Sequence, residues 1–176
     1  MVKQEETADP NMATSDKMIG SSAAWAAGYT GAGSRIAIID TGADVDHPSL
    51  DPDALKYALQ GSNATIMTEA DLTDEVLNQL NAYTRKAGLT AADFYVNEKI
   101  PFGFNYVDAD TDITHDNDTQ GDHGSHVTGI AAGNRFVKDE AGNYVAALDS
   151  VMTQGVAPDA QILTMKVFGK RGGAMI

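Results

Sequence analysis

Short apolar runs bounded by glycine-containing turns predict the strands of this chain. Residues 36–39 are apolar with no polar alternation, and they lie between Gly33 and Asp40-Thr41-Gly42. Such a run predicts a strand buried on both faces, as in parallel sheets covered by helices. Residues 102–107, which alternate aromatic side chains, and residues 160–168 predict two further strands.

Three segments predict helices. Asp16 or Ser21-Ser22 can cap a helix that runs to Ala27 and stops at Gly28. Residues 68–86 carry an apolar stripe at helical spacing and predict a second helix. Residues 123–133 are rich in Gly, Ala and Ser, and glycine inside a helix costs roughly 1 kcal/mol relative to alanine. We therefore expect this third helix to pack closely against a sheet.

The remaining segments predict connections. Residues 1–13 are polar and predict an extended arm, and residues 134–154 predict a polar loop. Residues 51–100 predict an insertion, with a capping box at 90–93. The glycines at 28–33 precede a strand, whereas a dinucleotide fingerprint follows one. Alternating strands and helices predict an α/β fold with a parallel sheet.

Composition excludes several classes of function. The chain has 176 residues, 43% of them hydrophobic, which favours one domain. It contains no cysteine, so disulfides, thiolate metal sites and a cysteine nucleophile are excluded. The formal net charge of −13 argues against a nucleic-acid partner, since phosphate backbones bind basic faces.

Targeting signals are not evident. No run approaches the ~20 apolar residues that a membrane span requires. The chain begins with polar residues, which predicts that it carries no signal peptide. Two origins stay open: an intracellular protein, or a piece of a longer secreted protein.

Six aspartates lie between positions 108 and 122, a segment that we call the acidic run. It begins like a calcium loop, but Ile113 occupies the position of the required glycine and Thr119 that of the required glutamate. An EF-hand is therefore excluded. A solvated acidic loop and a looser cation site stay open.

Asp40 and His123 are the candidate catalytic residues. Asp40 follows a buried strand, where open α/β sheets place their ligands, although it could instead cap a turn. His123 begins the third predicted helix. A carboxylate that accepts from Nδ1–H fixes the tautomer of a histidine and stabilises its imidazolium. That pairing suits a serine nucleophile, which needs a base to take its proton.

A zinc site is the alternative for the same helix. His123 and His126 share a helix face, and Asp122 or His115 could supply a third ligand. The sequence contains no His-Glu-x-x-His motif. His126 is better explained as a packed helix residue, and His47 and His115 as turn or surface residues.

These motifs resemble those of the subtilisin-like serine proteases. Ile-Ala-Ile-Ile-Asp-Thr-Gly, ending at Gly42, and then His47-Pro48 resemble the aspartate motif of that family. His-Gly-Ser-His-Val-Thr-Gly from His123 is similar to its histidine motif, usually His-Gly-Thr-His-Val-Ala-Gly. The resemblance covers about residues 20–50 and 101–174. It is closest to the large cell-envelope subtilases of Gram-positive bacteria.

The resemblance implies a three-layer α/β fold with a mostly parallel sheet, incomplete in this chain. Asp40 and His123 match the catalytic Asp and His of the family. Phe168 matches a residue that walls a substrate subsite. Gly172, Gly173 and Ala174 match the edge strand that pairs with the substrate backbone.

The implied function is hydrolysis of peptide bonds through an acyl-enzyme, by a secreted or cell-surface serine endopeptidase. No cofactor is required for that reaction, and a structural calcium ion stays open. Ser49, however, stands where many members have an aspartate that binds calcium, which leaves that site open.

The family's oxyanion Asn and Gly-Thr-Ser nucleophile motif are expected downstream of residue 176. Ser125 and Ser150 do not lie in that sequence context. We therefore expect the chain to be inactive alone and prone to self-association through exposed edges. A peptide- or cation-binding fragment without catalysis, and a zinc hydrolase, stay as alternative functions.

Overall fold

The computed structural model describes residues 12–116, 118–119 and 121–173. Its helices and strands are α1 (Met12–Ile19), α2 (Ser21–Ala26), β1 (Arg35–Asp40), α3 (Pro52–Ala58), α4 (Asp74–Tyr83), α5 (Ala91–Phe94), β2 (Phe102–Asn105), α6 (His123–Ala132), β3 (Phe136–Lys138), β4 (Tyr144–Ala146), α7 (Ala147–Ser150) and β5 (Gln161–Lys166). Two short 3-10 helices, Pro48–Leu50 and Glu69–Asp71, lie between them.

The main sheet has three parallel strands in the order β1-β5-β2. The predicted α/β fold with a parallel sheet is therefore confirmed. In its register, Lys166 of β5 lies opposite both Asp40 of β1 and Asn105 of β2. The carboxyl ends of all three strands consequently meet at one edge, where parallel sheets carry their sites.

Helices and loops pack on both faces of this sheet. The apolar cluster on one face contains Ile38, Leu50, Ile100, Ile113, Ala132, Ala160 and Ile162. The cluster on the other face contains Leu72, Leu89, Phe94, Phe102 and Phe104, with Leu163 and Met165 packed against it. The second cluster covers β2 and β5, so residues 51–100 supply much of one layer.

Burial of β1 differs from the prediction. Ile38 is 7% exposed, but Ile39 on the opposite face is 63% exposed. Among the described strands, β1 pairs only with β5. The apolar cluster that contains Leu72 and Phe104 does not extend over β1. The prediction of a strand buried on both faces is therefore wrong, and a complete three-layer fold is not seen in the described part of the chain.

The predicted helices form with changed boundaries. The first is broken at Gly20, whose φ of 83° lies in the left-handed region that glycine adopts readily. The second is shorter, because Thr73 caps α4 by accepting from the Val76 amide. The predicted capping box is present at α5, between Thr90 and Asp93.

The prediction for the amino-terminal end of the chain is tested only at its last positions. Helix α1 begins at Met12, so the predicted arm over residues 1–13 is wrong at its last two positions. The rest of that arm, residues 1–11, lies outside the described residues. No helix in the described ranges is long and apolar enough to cross a membrane.

Residues 134–154 are more ordered than the polar loop predicted for them. They form an antiparallel hairpin of β3 and β4 followed by α7. Tyr57 of α3 stacks on Tyr144 at 4.5 Å between ring centroids and meets the Phe136 ring edge-on at 5.0 Å. Three-residue strands are too short to show a two-residue period, so the sequence pattern did not predict them.

Candidate active site

Asp40 is the last residue of β1, and its carboxylate is fixed by the chain that follows. The Thr41 amide donates to Oδ1 of Asp40 at 2.7 Å. The Asp40 side chain is 15% exposed, so it is largely withdrawn from water. A carboxylate in this setting keeps one orientation at the carboxyl edge of the sheet.

His123 is the first residue of α6, and it meets that carboxylate. Nδ1 of His123 lies 2.8 Å from Oδ1 of Asp40. An ionised carboxylate only accepts hydrogen bonds, so we assign the proton to Nδ1, which leaves Nε2 as the acceptor. The histidine side chain is 67% exposed and is open to a reactant from solvent.

Thr41 holds α6 against β1 at the same point. Its Oγ1 accepts from the Gly124 amide at 2.9 Å, which satisfies one of the free N–H groups at the start of the helix. A Cβ on Gly124 would lie 2.1 Å from the Gly42 carbonyl oxygen. Only glycine at position 124 therefore permits this approach of helix to turn.

The electrostatics of Asp40 combine two opposing effects. Burial raises the pKa of Asp40, but hydrogen bonds from His123 and from Thr41 outweigh it and hold the pKa below its ordinary value. The carboxyl therefore stays ionised at neutral pH, as an acceptor for the histidine ring.

Ser125 and Ser150 are not part of the hydrogen-bonded Asp40–His123 pair. Ser125 Oγ accepts from the Asp44 amide at 2.7 Å and lies 3.3 Å from Nδ1 of His115. Its hydroxyl is thus engaged by groups other than His123. Ser150 is the last residue of α7. That neither serine is the nucleophile stays a prediction.

Of the residues considered for zinc, His115, His126 and Asp122 line one cleft of about 910 Å³ beside α6, whereas His123 is not part of its lining. His47 lines the same cleft. Within the described ranges, no three His, Asp or Glu side chains form a group able to hold a metal ion. The zinc alternative therefore gains no support from this geometry.

Two lysines neutralise much of the acidic run. Lys170 Nζ lies 3.3 Å from Asp110 and 3.1 Å from Asp112, and Lys166 pairs with Asp118. The Asp118 side chain is 2% exposed, so the solvated-loop interpretation is wrong for this residue. These carboxylates do not fit a calcium ion unless a lysine leaves. A structural calcium ion stays a prediction.

The predicted substrate-binding residues follow β5. Phe168 is half-buried two residues after that strand. Gly172 and Gly173 lie in a turn in which the Gly172 amide donates to the Gly169 carbonyl at 3.0 Å. Ala174 lies outside the described residues. The substrate contacts assigned to these positions stay predictions.

A sequence profile of the subtilase family matches residues 31–176, which is most of the chain and includes both members of the Asp40–His123 pair. The chain belongs to the subtilase family. The resemblance inferred from the aspartate and histidine motifs is therefore confirmed.

Several relatives align with nearly all of this subtilase chain. The PI-type proteinase of Lactococcus lactis subsp. cremoris and the PII-type proteinase of Lacticaseibacillus paracasei are each 34% identical to it over 164 residues. That alignment covers 90% of this chain and 7% of each relative. The minor extracellular protease Vpr of Bacillus subtilis is 29% identical over 173 residues, 96% of this chain and 14% of Vpr. The chain spans only a small part of the length of these relatives.

Sequence reasoning missed two residues that lie beside the Asp40–His123 pair at the carboxyl edge of the sheet. The Thr41 hydroxyl holds the start of α6, and the only sequence signal is its place directly after Asp40. Lys166 is fully buried at the end of β5. A lysine inside the apolar run of residues 160–168 was the available signal, because lysine is almost never fully buried without a partner.

Proposed function

We propose that this chain is part of a subtilisin-type serine endopeptidase in which His123 is the general base and Asp40 orients it. The supporting observation is the 2.8 Å contact between Nδ1 of His123 and Oδ1 of Asp40, at the carboxyl edge of a parallel sheet. Membership of the subtilase family also supports these roles for His123 and Asp40.

The geometry suits acyl transfer to a serine. With the proton on Nδ1, the Nε2 lone pair of His123 is free to take the proton of a serine hydroxyl as that oxygen attacks the peptide carbonyl. Asp40 then stabilises the imidazolium, which returns the proton to the leaving amine. Water repeats the sequence on the acyl-enzyme and releases the second product. No cofactor takes part.

Two further parts complete this mechanism, and we place both outside these 176 residues. They are the nucleophilic serine and the donors that stabilise the oxyanion. The chain spans 7% of the lactococcal proteinase it matches, which leaves ample sequence to supply them. We therefore propose that the isolated chain does not hydrolyse peptides.

The relatives support a location and a substrate class. One of them is named an extracellular protease, and the lactococcal relatives are named proteinases. We propose secretion or display at the cell surface, with polypeptides as substrates. The net charge of −13 argues against nucleic acid as a partner.

The test compares the 176-residue chain with the gene product extended through a downstream Gly-Thr-Ser motif, on casein and a peptide substrate. We expect turnover only by the extended protein, with sensitivity to a serine-directed inhibitor. In that protein, His123→Ala should lower kcat by about 10⁴-fold or more. His126→Ala, on the same helix but outside the pair, is the matched control and should retain activity.

Two results would contradict the proposal. Inhibitor-sensitive turnover by the short chain would show that the nucleophile lies within residues 1–176. An extended protein that binds peptides but never cleaves them would instead support the alternative of a non-catalytic peptide-binding fragment.

A further inference from the structure

Lys166 has an unusual position in the sheet. It ends the central strand β5, is fully buried, and lies opposite Asp40 and Asn105 in the register of the neighbouring strands. Removing an ammonium group from water is costly unless it gains a charged partner and further hydrogen bonds. Lys166 is therefore expected to have a specific set of acceptors.

Those acceptors belong to the segment that leads into α6. Nζ of Lys166 donates to the Thr114 carbonyl and to the Asp118 carboxylate. The Asp118 side chain is 2% exposed, and its amide donates to the His115 carbonyl at 3.0 Å. One buried ammonium thus ties two points of this segment to the centre of the sheet edge.

The same segment contacts the first turn of α6. Nδ1 of His115 lies 3.3 Å from Oγ of Ser125, and that oxygen also accepts from the Asp44 amide at 2.7 Å. A chain of contacts therefore runs from Lys166 through Asp118 and His115 to the turn that begins with His123. It is separate from the Thr41 contact, which reaches the helix from β1.

We propose that Lys166 is a positioning residue for the candidate catalytic histidine. Through Asp118 and the Thr114 carbonyl it fixes the approach of the chain to α6, so that Nδ1 of His123 meets Oδ1 of Asp40. This role rests on the proposed function, because it explains how the general base is held. Lys166 itself touches neither His123 nor a reacting atom.

Lys170 provides a contrast within the same acidic run. It pairs with Asp110 and Asp112, but its side chain is 38% exposed, and an exposed pair contributes little rigidity. Lys166 also differs from the other fully buried lysine among the described residues, Lys99, whose acceptors are the carbonyls of Pro158 and Ala160. In the described part of the chain, Lys166 alone combines full burial with a carboxylate partner from the segment before His123.

The test reads the tautomer of His123 directly, by long-range ¹H–¹⁵N correlation of the ring on the 176-residue chain at a pH where the ring is neutral. We expect mainly the Nδ1–H form in the wild type. Lys166→Met removes the ammonium but leaves a buried carboxylate, so Lys166→Met/Asp118→Asn is the decisive variant. It removes both charges and should still fold, as checked by circular dichroism. Lys170→Met is the control.

In the double variant we expect the Nε2–H form to become the major one, as for an unrestrained imidazole. The amides of residues 114–116 and 118 should exchange about tenfold faster. Lys170→Met should leave the tautomer of His123 unchanged. A folded double variant that keeps the Nδ1–H form would overturn the positioning role. A wild-type chain in the Nε2–H form would instead show that the Asp40–His123 pair of the proposed function does not form.

Discussion

At the scale of single residues, two hydrogen bonds to the Asp40 carboxylate hold the candidate site. Asp40 accepts from both His123 and Thr41 on one oxygen, and Thr41 in turn caps α6. The pKa of Asp40 is lowered in the folded chain, so its stabilising contribution is present above its unfolded pKa of about 3.9. That contribution is lost as the pH falls through the folded value.

Lys99 leads to a prediction in which stability also rises with pH, but in an alkaline window. Burial lowers the pKa of Lys99 from 10.5 to about 7, although nearby Asp159 acts to raise it. Its two carbonyl acceptors match the two N–H donors of a neutral amine. Between pH 7 and 10.5 the unfolded chain binds a proton that the native chain does not, so stability should rise with pH across this window.

The variant Lys99→Met should lose this increase. We expect the free energy of unfolding of the wild type to rise by on the order of 2 kcal/mol more than that of the variant between pH 7 and pH 9. Urea unfolding at both pH values measures it, with the exposed Lys56→Met as control. Equal pH slopes for Lys99→Met and wild type would show that Lys99 is charged in the fold.

At the scale of elements, the contact between α6 and the turn after β1 sets the site. The helix approaches so closely that the backbone at Gly124 lies against the Gly42 carbonyl. Close packing of this small-residue helix was predicted from sequence, and the structure locates the closest point beside His123.

Gly124→Ala should therefore destabilise the chain. Its Cβ would lie 2.1 Å from the Gly42 oxygen, and we expect overpacking to cost about 1–3 kcal/mol. Gly129→Ala is the matched control on the same helix, because a Cβ there meets nothing within 4 Å. It should stabilise the helix by up to about 1 kcal/mol. Thermal melting of the two variants would contradict this if Gly124→Ala were the more stable.

Sequence alone predicted the elements that carry a strong local signal. Asp40 and His123 were identifiable because each marks the boundary of an element and lies in a specific motif. The pairing of Lys166 with Asp118 was not, because any of six aspartates could have met that lysine once the chain folded. The short hairpin of β3 and β4 was also missed, because its strands are too short to show a period and Tyr57, which packs on it, belongs to a helix distant in sequence. Ile39 gave a misleading signal, because an apolar run does not show which face lacks a covering layer.

At the scale of the whole molecule, the described chain presents an incomplete sheet. β1 pairs on one edge only among the described strands, and Ile39 projects from it with 63% of its surface exposed. An open strand edge beside an apolar face is a template for another chain. This supports the expectation that the isolated 176-residue chain self-associates.

Ile39→Lys should suppress that association, because a charged side chain on an edge strand opposes pairing with a second copy. Sedimentation velocity over a range of concentrations measures it. Tyr83→Lys replaces another exposed large side chain, 74% exposed and far from the sheet edge in sequence, and should associate like the wild type. A wild-type chain that is monomeric at all concentrations would contradict the prediction.

The order of the strands also determines when this sheet can form during synthesis. β5 is the last of its three strands to be made, yet it lies between the other two and pairs with both. Until the ribosome has passed Lys166, β1 and β2 have no parallel partner in the described chain. At about 5–20 residues per second, that leaves a finished β2 waiting for several seconds. The segments that will become β1 and β2 therefore stay without their sheet partner during that interval. Only the segments between them, or a chaperone, can cover their apolar side chains until β5 has been made.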